Sequence, residues 1–344
     1  MKFFGLAILL YCHFGQAQPW PKSVDTAAQL PRQVRNFFKA EITLVSENDN
    51  YTLQLRDGYY TNGLMLQYSR AHLPKQEGKR LRKWVESFEI GQHIYNPVRF
   101  DSVNLATQDR PFAGYLYLRY EQRRFYTPRS MWQYSASLGT IGKASFASNV
   151  QGWYHGVISI YPVTGWPNQL KDEVSLNMAA RHAVSLLRGN PGQRWADVTL
   201  VSQAALGNAY TGAQAGLLLR LGRPEEYDRS LHWGSRTAAH AAQGPRHPSE
   251  LYFFMHPSLH YQLYNATLQG GLFRHDKGPK TVPIEPLYVS NQIGFGYAQN
   301  RWTLMMYLVT RGRMAKTQLR TERFISIKLS YRFAEGGKTS HTTH

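Results

Sequence analysis

The sequence has almost no cysteine and no long hydrophobic run after its first residues. Its one cysteine, Cys12, lies in the segment MKFFGLAILLYCHFGQAQ, which has one lysine, a short apolar core and a small-residue exit near Ala17. This pattern predicts a signal peptide over residues 1–18. The mature chain would then have no disulfide and no cysteine-based metal site, as suits export to an oxidising compartment.

Beyond the predicted signal, no apolar stretch reaches the ~20 residues of a transmembrane helix. Instead, apolar and polar residues alternate over twelve segments of about ten residues, the length of a tilted membrane strand. With 13% aromatic residues for interfacial girdles, the pattern predicts an all-β fold, a single antiparallel transmembrane β-barrel. The predicted strands are Glu41–Glu47, Thr61–Ala71, Ser87–Tyr95, Gly114–Phe125, Met131–Thr140, Val174–Leu186, Ala196–Ala209, Ala213–Gly222, Leu251–Leu263, Tyr288–Gln299, Trp302–Gly312 and Arg323–Phe333.

These strands predict one large domain. A lead-in over 19–40 would precede the barrel, which takes 41–333, and a polar tail over 334–344 would follow it. Short turns at Gly207–Gly212 and Gln299–Arg301, and a long connection at Arg223–Ser249, predict short turns on one side and long loops on the other. Twelve strands enclose more space than eight, so a plug is expected.

Acidic residues are scarce. The chain has 22 Asp and Glu against 40 Lys and Arg, a net charge of +18, which becomes +17 without Lys2 of the predicted signal. Such a surplus indicates an anionic partner. For an exported chain without a nucleic-acid motif, lipid phosphates are favoured over nucleic acid. The alternative is nonspecific basicity in exposed loops such as Lys75–Lys83.

One segment, Gly142–Glu173, departs from the alternating pattern. Its apolar residues Phe146, Val150, Trp153, Val157 and Ile160 recur at helical spacing. Ser145 or Ser148 is the expected N-cap. Gln151 and His155 would share one face of the helix, and histidine is the side chain best suited to carry a proton near neutral pH. The segment is also the available plug, so His155 could instead merely cap or plug a pore.

Two further clusters could carry chemistry. The oxygen-rich stretches Ser46–Asn50 and Asp57–Gly63 end one predicted strand and begin the next, which would bring Asp49 and Thr61 together. Such oxygens can bind a hard cation such as calcium, although they are also common loop residues. In the stretch Asp109–Gly114, Arg110 could offer its guanidinium to a phosphate or an oxyanion, or could pair with Asp109.

Seven motifs in order extend these observations. They are END at Glu47–Asp49, D-x-YYTNG at Asp57–Gly63, DRPFAG at Asp109–Gly114, Q-x-x-x-H at Gln151–His155, GW-x-NQLKDE at Gly165–Glu173, GN-x-YTGAQAG at Gly207–Gly216 and LRLG at Leu219–Gly222. From about Glu41 to Phe333 the chain thereby resembles the lipid A deacylase family typified by LpxR, an outer-membrane 3′-O-deacylase. The resemblance implies a twelve-stranded barrel that removes the 3′-acyloxyacyl group from lipid A with the help of Ca²⁺.

The resemblance also implies roles for individual residues. His155 would be the general base, Gln151 its neighbour and Asn48 a member of the active centre, with Arg110 as the candidate for the oxyanion-stabilising group. Asp49 and Thr61 would be the calcium ligands. The partner would be lipid A in the outer leaflet, with the protein a monomer in the bacterial outer membrane. One departure is that Gly156 to Gln169 contains no carboxylate, where the family carries an acidic residue.

Two other functions stay open at this stage. An outer-membrane phospholipase would need a serine beside a histidine on the barrel wall, and the sequence shows no such constellation. A non-catalytic pore or adhesin would leave the motifs as unrelated loop and plug residues. The enzyme hypothesis requires His155, Asp49 and Thr61 to converge near the outer end of the barrel.

Overall fold

The chain forms a closed, antiparallel, twelve-stranded β-barrel. The computed structural model describes residues 37–52, 58–74, 81–98, 104–157, 159 and 161–336. The predicted signal peptide, most of the lead-in and residues 337–344 of the predicted tail lie outside these ranges. Each strand pairs with its sequence neighbours, and β1 pairs with β12, so the described sheet has no open edge.

The twelve strands agree with the predicted ones to within a few residues at each end. They are β1 Phe38–Asn48, β2 Tyr60–His72, β3 Lys83–Tyr95, β4 Ala113–Thr127, β5 Ser130–Ile141, β6 Glu173–Ser185, β7 Ala196–Gly207, β8 Tyr210–Arg223, β9 Ser249–Asn265, β10 Leu287–Gln299, β11 Trp302–Arg311 and β12 Glu322–Glu335. Two helices accompany them, α1 Ala147–Val157 and α2 Ala266–Gln269. The last strand includes Ala334 and Glu335, which the sequence assigned to the tail. Among the described residues, neither helix has the length and hydropathy to cross a membrane.

Alternation along each strand separates an outward face from the lumen. On β4, Tyr115 and Tyr117 point inward and are buried. Leu118, which points outward, is 60% exposed. Exposed Leu44, Leu64 and Ile90 continue the same outward face on β1 to β3. Because a strand has a two-residue repeat, every other side chain meets the surroundings of the barrel.

The two ends of the barrel differ. The terminal end is the one where Phe38 begins β1 and Glu335 ends β12. The distal end is the opposite one and carries the connections 49–59, 96–112, 142–172, 208–209, 266–286 and 312–321. The predicted division into short turns on one side and long loops on the other is therefore wrong. The long connection 224–248 lies at the terminal end, and the two-residue turn after β7 lies at the distal end.

An outward aromatic belt lies near the terminal end, on β2, β3, β5, β11 and β12. Rings on neighbouring strands contact each other there: Trp302 and Tyr331 are tilted, with 4.8 Å between ring centroids, and Trp132 stacks on His182 at 4.4 Å. We call Tyr68, Trp84, Trp132, Trp302, Tyr331 and Phe333 the terminal belt. Aromatic residues at this position are typical of a membrane interface.

The plug of the lumen comes from connection 224–248, which corrects the expectation that the helical insert could fill it. Tyr227, Leu231 and Trp233 are buried in the largest core cluster, against strand residues such as Val85 and Phe125. Lys83, expected in an exposed basic loop, is also fully buried and donates to the carbonyls of Asp228 and Ser235.

Glu250 holds this plug in place. Its carboxylate accepts hydrogen bonds from the backbone N–H groups of Glu225 (3.0 Å) and Leu231 (2.8 Å) and from the Ser230 hydroxyl (2.6 Å). It also pairs with Arg236 at 3.2 Å, and both side chains are almost fully buried. A second buried pair, Arg220 with Asp197 at 2.7 Å, lies beside it.

Replacing Glu250 by alanine is expected to destabilise the folded barrel by about 3–5 kcal/mol, because it leaves Arg236 buried without its carboxylate. Thermal unfolding in detergent, followed by electrophoretic mobility, measures the effect. Glu335→Ala is the matched control, since its pair with Arg301 is partly exposed and is worth about 1 kcal/mol or less. Equal losses in the two variants would contradict the assignment of Glu250 as the holding residue.

Candidate active site

A row of outward positions crosses the first four strands near the distal end. Asn48 pairs with Asn62, Asn62 with Ile94, and Ile94 with Gly114. Paired residues on neighbouring strands lie about 5 Å apart. The end of β1 therefore lies within about 15 Å of the start of β4, on the outer wall of the barrel.

Asn48, Asp49 and Thr61 come together at one end of this row. The Asp49 backbone N–H points to the Thr61 carbonyl at 3.4 Å, and the Asp49 Oδ2 accepts the Gly58 N–H at 2.5 Å. The Asn48 Oδ1 accepts the Asn50 N–H at 2.7 Å. All three predicted residues are buried, at 2–5% exposure. The contact between the Asp49 and Thr61 segments, expected from adjacent strand ends, is present.

Thr61 occupies an irregular position in its strand. The pairing of β2 with β3 shifts register between Tyr60 and Asn62, so Thr61 is the extra residue of a bulge. A bulge re-aims side chains and is common beside active sites. Tyr60 is thereby turned into the lumen, where it donates to Glu47, while Asn62 stays on the outward row. The sequence gives no signal for this bulge.

Helix α1 begins directly over the other end of the row. A Cβ placed on Gly114 would lie 2.0 Å from the Ser145 Oγ and 2.3 Å from the Ala147 Cβ, so only glycine admits the helix here. The Gln92 side chain, on the outward face of β3, donates to the Ser145 carbonyl at 2.6 Å. The helix thus lies on the outer wall and not in the lumen.

The predicted helix cap is wrong. The Ser145 hydroxyl donates back to the Gly142 carbonyl at 2.5 Å, and Ser148 lies inside the helix. The chain enters the helix through Phe146, whose φ of 57° is left-handed and whose carbonyl accepts the Val150 N–H. A tight turn ahead of the helix therefore replaces the side-chain cap.

The amphipathic pattern of α1 is inverted relative to a helix on a water-soluble protein. Phe146, Trp153 and Val157 are 59%, 68% and 63% exposed, whereas Gln151 and His155 are each 3% exposed. The polar pair shares one face, as predicted, and that face is the buried one. An apolar face turned away from the protein fits a hydrocarbon environment. Ile160, the last residue of the predicted pattern, lies outside the described residues.

Gln151 is fixed by an indole. The Trp166 Nε1–H donates to the Gln151 Oε1 at 2.8 Å. Trp166 packs against Phe112, with ring centroids 5.3 Å apart, in a small core cluster that includes Ile94 and Ala147. Because the amide oxygen accepts this bond, the other end of the Gln151 amide is its donor. Trp166 belongs to the GW-x-NQLKDE motif but was not assigned a role from sequence.

The tautomer of His155 follows from its backbone contact. Its Nδ1 lies 2.8 Å from the Tyr161 carbonyl oxygen, which can only accept. Nδ1 must therefore carry the proton of the neutral ring, so Nε2 is the basic nitrogen. The edge of the Tyr161 ring also packs on the imidazole, at 5.4 Å between centroids. This orientation is the arrangement required of a general base.

Arg110 also lies at the distal end, but inside the barrel and not on its outer wall. Its guanidinium donates to the carbonyls of Tyr59 (3.4 Å) and Thr267 (3.3 Å) and stacks 4.5 Å from the Tyr95 ring centroid. It is completely buried, and burial lowers its pKa, opposed mainly by Glu322. No Arg110–Asp109 ion pair occurs among the described residues. Its oxyanion role stays a prediction.

Asp109 instead belongs to a buried network around Tyr59. Burial raises the pKa of the Tyr59 phenol, which stays protonated and donates to the Asp109 Oδ2. The Asp109 Oδ1 accepts from the Val98 N–H at 3.1 Å. Tyr59 in turn accepts from the Leu319 N–H at 2.7 Å, which ties connection 312–321 to the site.

Arg320, in that connection, is a site neighbour that sequence reasoning missed. A Cβ on Gly58 would lie 3.0 Å from the Arg320 Nη2 and 3.7 Å from the Asp49 Oδ2, so the guanidinium reaches the Asp49 cluster. Arg320 stands far from Asp49 in sequence, and only closure of β12 against β1 brings it near. No local pattern could have identified it.

The two parts of the predicted site are joined through one segment. The carbonyl of Tyr59 accepts from the Asn96 N–H and from Arg110, and Phe112 reaches Trp166 and hence Gln151. Connection 96–112 therefore links the Asp49–Thr61 cluster to α1. Asn48, Asp49, Thr61, Gln151 and His155 all lie at the distal end.

The donor atoms near Asp49 suit a hard cation. The buried Asn48, Asp49 and Thr61 offer amide, carboxylate and hydroxyl oxygens, with backbone carbonyls beside them, and oxygen ligands are those that calcium takes. No metal-binding group of three or more His, Cys, Asp and Glu side chains occurs in the described part of the chain. The donor set fits calcium with one carboxylate, which is a low ligand charge.

Among the described residues, two contacts between a serine hydroxyl and a histidine ring occur elsewhere, in the lumen. Ser290 Oγ lies 2.7 Å from His260 Nε2, and Ser258 Oγ lies 3.2 Å from His256 Nε2. His260 of the first pair lines a cavity of about 420 Å³ inside the barrel. Both face away from the outer wall, so neither has the wall position that a phospholipase dyad requires.

Comparison with known proteins gives one strong likeness. The family model described as outer membrane protein LpxR matches residues 5–333. The structure of LpxR from Salmonella typhimurium is similar with a TM-score of 0.68 at 18% identity, over 85% of this chain and 100% of that one. The β-domain of the Bordetella autotransporter BrkA gives 0.46 at 11% identity, over 86% and 100%. A direct search of curated protein sequences finds no match.

Replacing Gly114 by valine is expected to displace α1 from the outer wall, because the added side chain overlaps Ser145 and Ala147. Limited proteolysis of the detergent-solubilised barrel should then cleave within 142–172 faster than in the native chain. Gly152→Ala is the control, since a Cβ there meets nothing within 4 Å and alanine favours the helix by about 1 kcal/mol. Unchanged cleavage in Gly114→Val would contradict the placement of α1.

Proposed function

Because the chain belongs to the LpxR family of outer membrane proteins, we propose that it is an ester hydrolase that removes the 3′-acyloxyacyl group of lipid A. The observation that carries the proposal is the position of His155. It lies on the outer wall of the barrel, on the buried face of α1, whose opposite face is apolar and exposed. A site in this position can receive an ester from the surrounding leaflet while the acyl chains stay in hydrocarbon.

In the proposed mechanism His155 activates water. Nε2 takes a proton from the water molecule. Nδ1–H meanwhile keeps its hydrogen bond to the Tyr161 carbonyl, which stabilises the imidazolium that forms. The hydroxide attacks the ester carbonyl and gives a tetrahedral oxyanion. His155 then returns the proton to the sugar oxygen as that oxygen leaves. Products are the free acyloxyacyl acid and a lipid A with a 3′-hydroxyl group.

Gln151 and Asn48 are proposed to position the reacting groups. The Trp166 indole fixes the orientation of the Gln151 amide on the same buried helix face as His155, and Gln151 would position the reacting groups from there. Asn48 lies on the outward row beside Asp49. Arg110 lies inside the distal end of the barrel and donates to the Tyr59 carbonyl. From this position its positive charge would stabilise the oxyanion.

Calcium is proposed as the cofactor, held by Asp49 and Thr61 with backbone oxygens. When bound there it would polarise the ester carbonyl as a Lewis acid. Affinity in such sites follows ligand charge and rigidity. Asp49 is the one carboxylate of the proposed site, and the positively charged Arg320 reaches the same cluster. We therefore infer that the site binds calcium weakly and fills only at a high calcium concentration.

The remaining assignments follow the same proposal. The chain would reach the outer membrane through a cleaved signal peptide at 1–18 and act as a monomer on lipid A in the outer leaflet, with its distal end outward. The basic surface of the chain would attract the lipid A phosphates. The pore alternative has less support, since connection 224–248 fills the terminal end of the lumen.

Replacing His155 by alanine is expected to lower the rate of lipid A deacylation by about 10²–10⁴-fold, the usual contribution of a general base. Mass spectrometry of lipid A from a host expressing either form shows the loss of an acyloxyacyl unit. His275→Ala is the control, because His275 is an exposed residue of the distal connection 266–286, and this variant should retain activity. Full activity in His155→Ala would exclude the mechanism, and unmodified lipid A with the native chain would exclude the substrate.

Replacing Asp49 by asparagine is expected to raise the calcium concentration needed for half-maximal activity by about tenfold or more, because the site loses its one charged ligand. Deacylation is measured in detergent extracts across a calcium titration and with a chelator. Asp276→Asn, an exposed acid in connection 266–286, is the matched control. Activity that is insensitive to the chelator would contradict the calcium assignment but would not contradict the proposed hydrolase activity.

A further inference from the structure

A groove of about 680 Å³ crosses the outward face of β4 to β7, away from the proposed active site. Its floor is low because Ala136, Ala180 and Ala204 supply only methyl groups. Ala180 pairs with Ala204 across β6 and β7, and Ala136 lies on the neighbouring β5. The other lining residues form its edges: Tyr120 and Tyr134 on one side, Met178 and Leu206 toward the distal end.

Arg124 lies at the edge of the groove nearest the terminal end, and neighbouring side chains hold it in place. The Arg124 guanidinium donates twice to the Gln122 Oε1, at 2.7 Å and 3.1 Å, and lies 5.7 Å from the Tyr134 ring centroid. No carboxylate lies within ion-pair distance of Arg124 anywhere in the described ranges. Within the part of the chain that the structure describes, the groove therefore ends at a fixed positive charge without a carboxylate partner.

The position of Arg124 along the barrel axis indicates which region of the membrane surrounds it. Its cross-strand neighbour is Trp132, a member of the terminal belt, which stacks on His182. Aromatic belts lie at the level of lipid head groups. An arginine here keeps its charge at the interface while its aliphatic part contacts apolar surface.

We propose that this groove binds one glycerophospholipid of the leaflet at the terminal end. Arg124 would hold the phosphate, because a guanidinium presents two parallel N–H donors to phosphate oxygens. One acyl chain would lie over Ala136, Ala180 and Ala204 toward Met178 and Leu206. The apolar groove and the charge at its edge together match a lipid, whereas an apolar face alone would not choose between a lipid and a second copy of the chain.

The test uses the full chain in detergent, titrated with phosphatidylglycerol and, as an uncharged two-chain probe, with diacylglycerol. Native mass spectrometry counts the lipids retained. The native chain should retain one phosphatidylglycerol and bind it more tightly than diacylglycerol. Arg124→Gln should weaken phosphatidylglycerol binding about tenfold, through the loss of charge-assisted hydrogen bonds. Ala204→Phe should abolish binding by filling the floor.

Matched controls exist on the same barrel. Arg70 is an outward arginine that faces Glu86 across β2 and β3, and Leu259 is exposed on β9. Arg70→Gln and Leu259→Phe should bind as the native chain does. The electrophoretic shift on heating checks that each variant is folded.

Three results would overturn the proposal. One is equal affinity for phosphatidylglycerol and diacylglycerol. Another is a loss of binding in Arg70→Gln as large as in Arg124→Gln. The third is a native dimer that Ala204→Phe dissociates, which would assign the face to a second copy of the chain. None of these outcomes depends on whether lipid A is deacylated.

Discussion

The pairing of β1 with β12 is the contact on which the rest of the structure depends. It closes the sheet, and closure fixes for every strand which alternate side chains face the lumen and which face outward. The same pairing brings connection 312–321 beside the end of β1, where Tyr59 and Arg320 meet the Asp49 cluster. A one-residue slip would move Asn48 from the outward row to the inside of the barrel and take the cluster apart.

The barrel itself could be predicted from sequence because alternation is a local signal. Each strand carries its own two-residue pattern, so all twelve were identified. Proximity of Asp49 to Thr61 followed from the same logic, since consecutive antiparallel strands place their joined ends together. The Gln151–His155 pair followed from helical spacing alone. The family resemblance then supplied the roles, which spacing cannot give.

The orientation of α1 and the source of the plug could not be predicted, for a shared physical reason. Helical periodicity shows that Phe146, Trp153 and Val157 lie together, but not whether that face meets a protein core or hydrocarbon, which are equally apolar. Connection 224–248 reads as a polar loop because its many charges, such as Glu226 and Arg229, pair with one another only after folding.

The inverted helix α1 has a consequence for how such a site meets its substrate. On the proposed function, a polar pair enclosed between the barrel wall and a lipid-facing helix would be reached by lateral diffusion within a leaflet, not from bulk water. The governing concentration is then the mole fraction of the substrate among its neighbouring lipids. Inert detergent added to a fixed amount of enzyme and substrate acts as a diluent in two dimensions, and a crowded, substrate-rich leaflet keeps the site saturated at vanishing aqueous concentration.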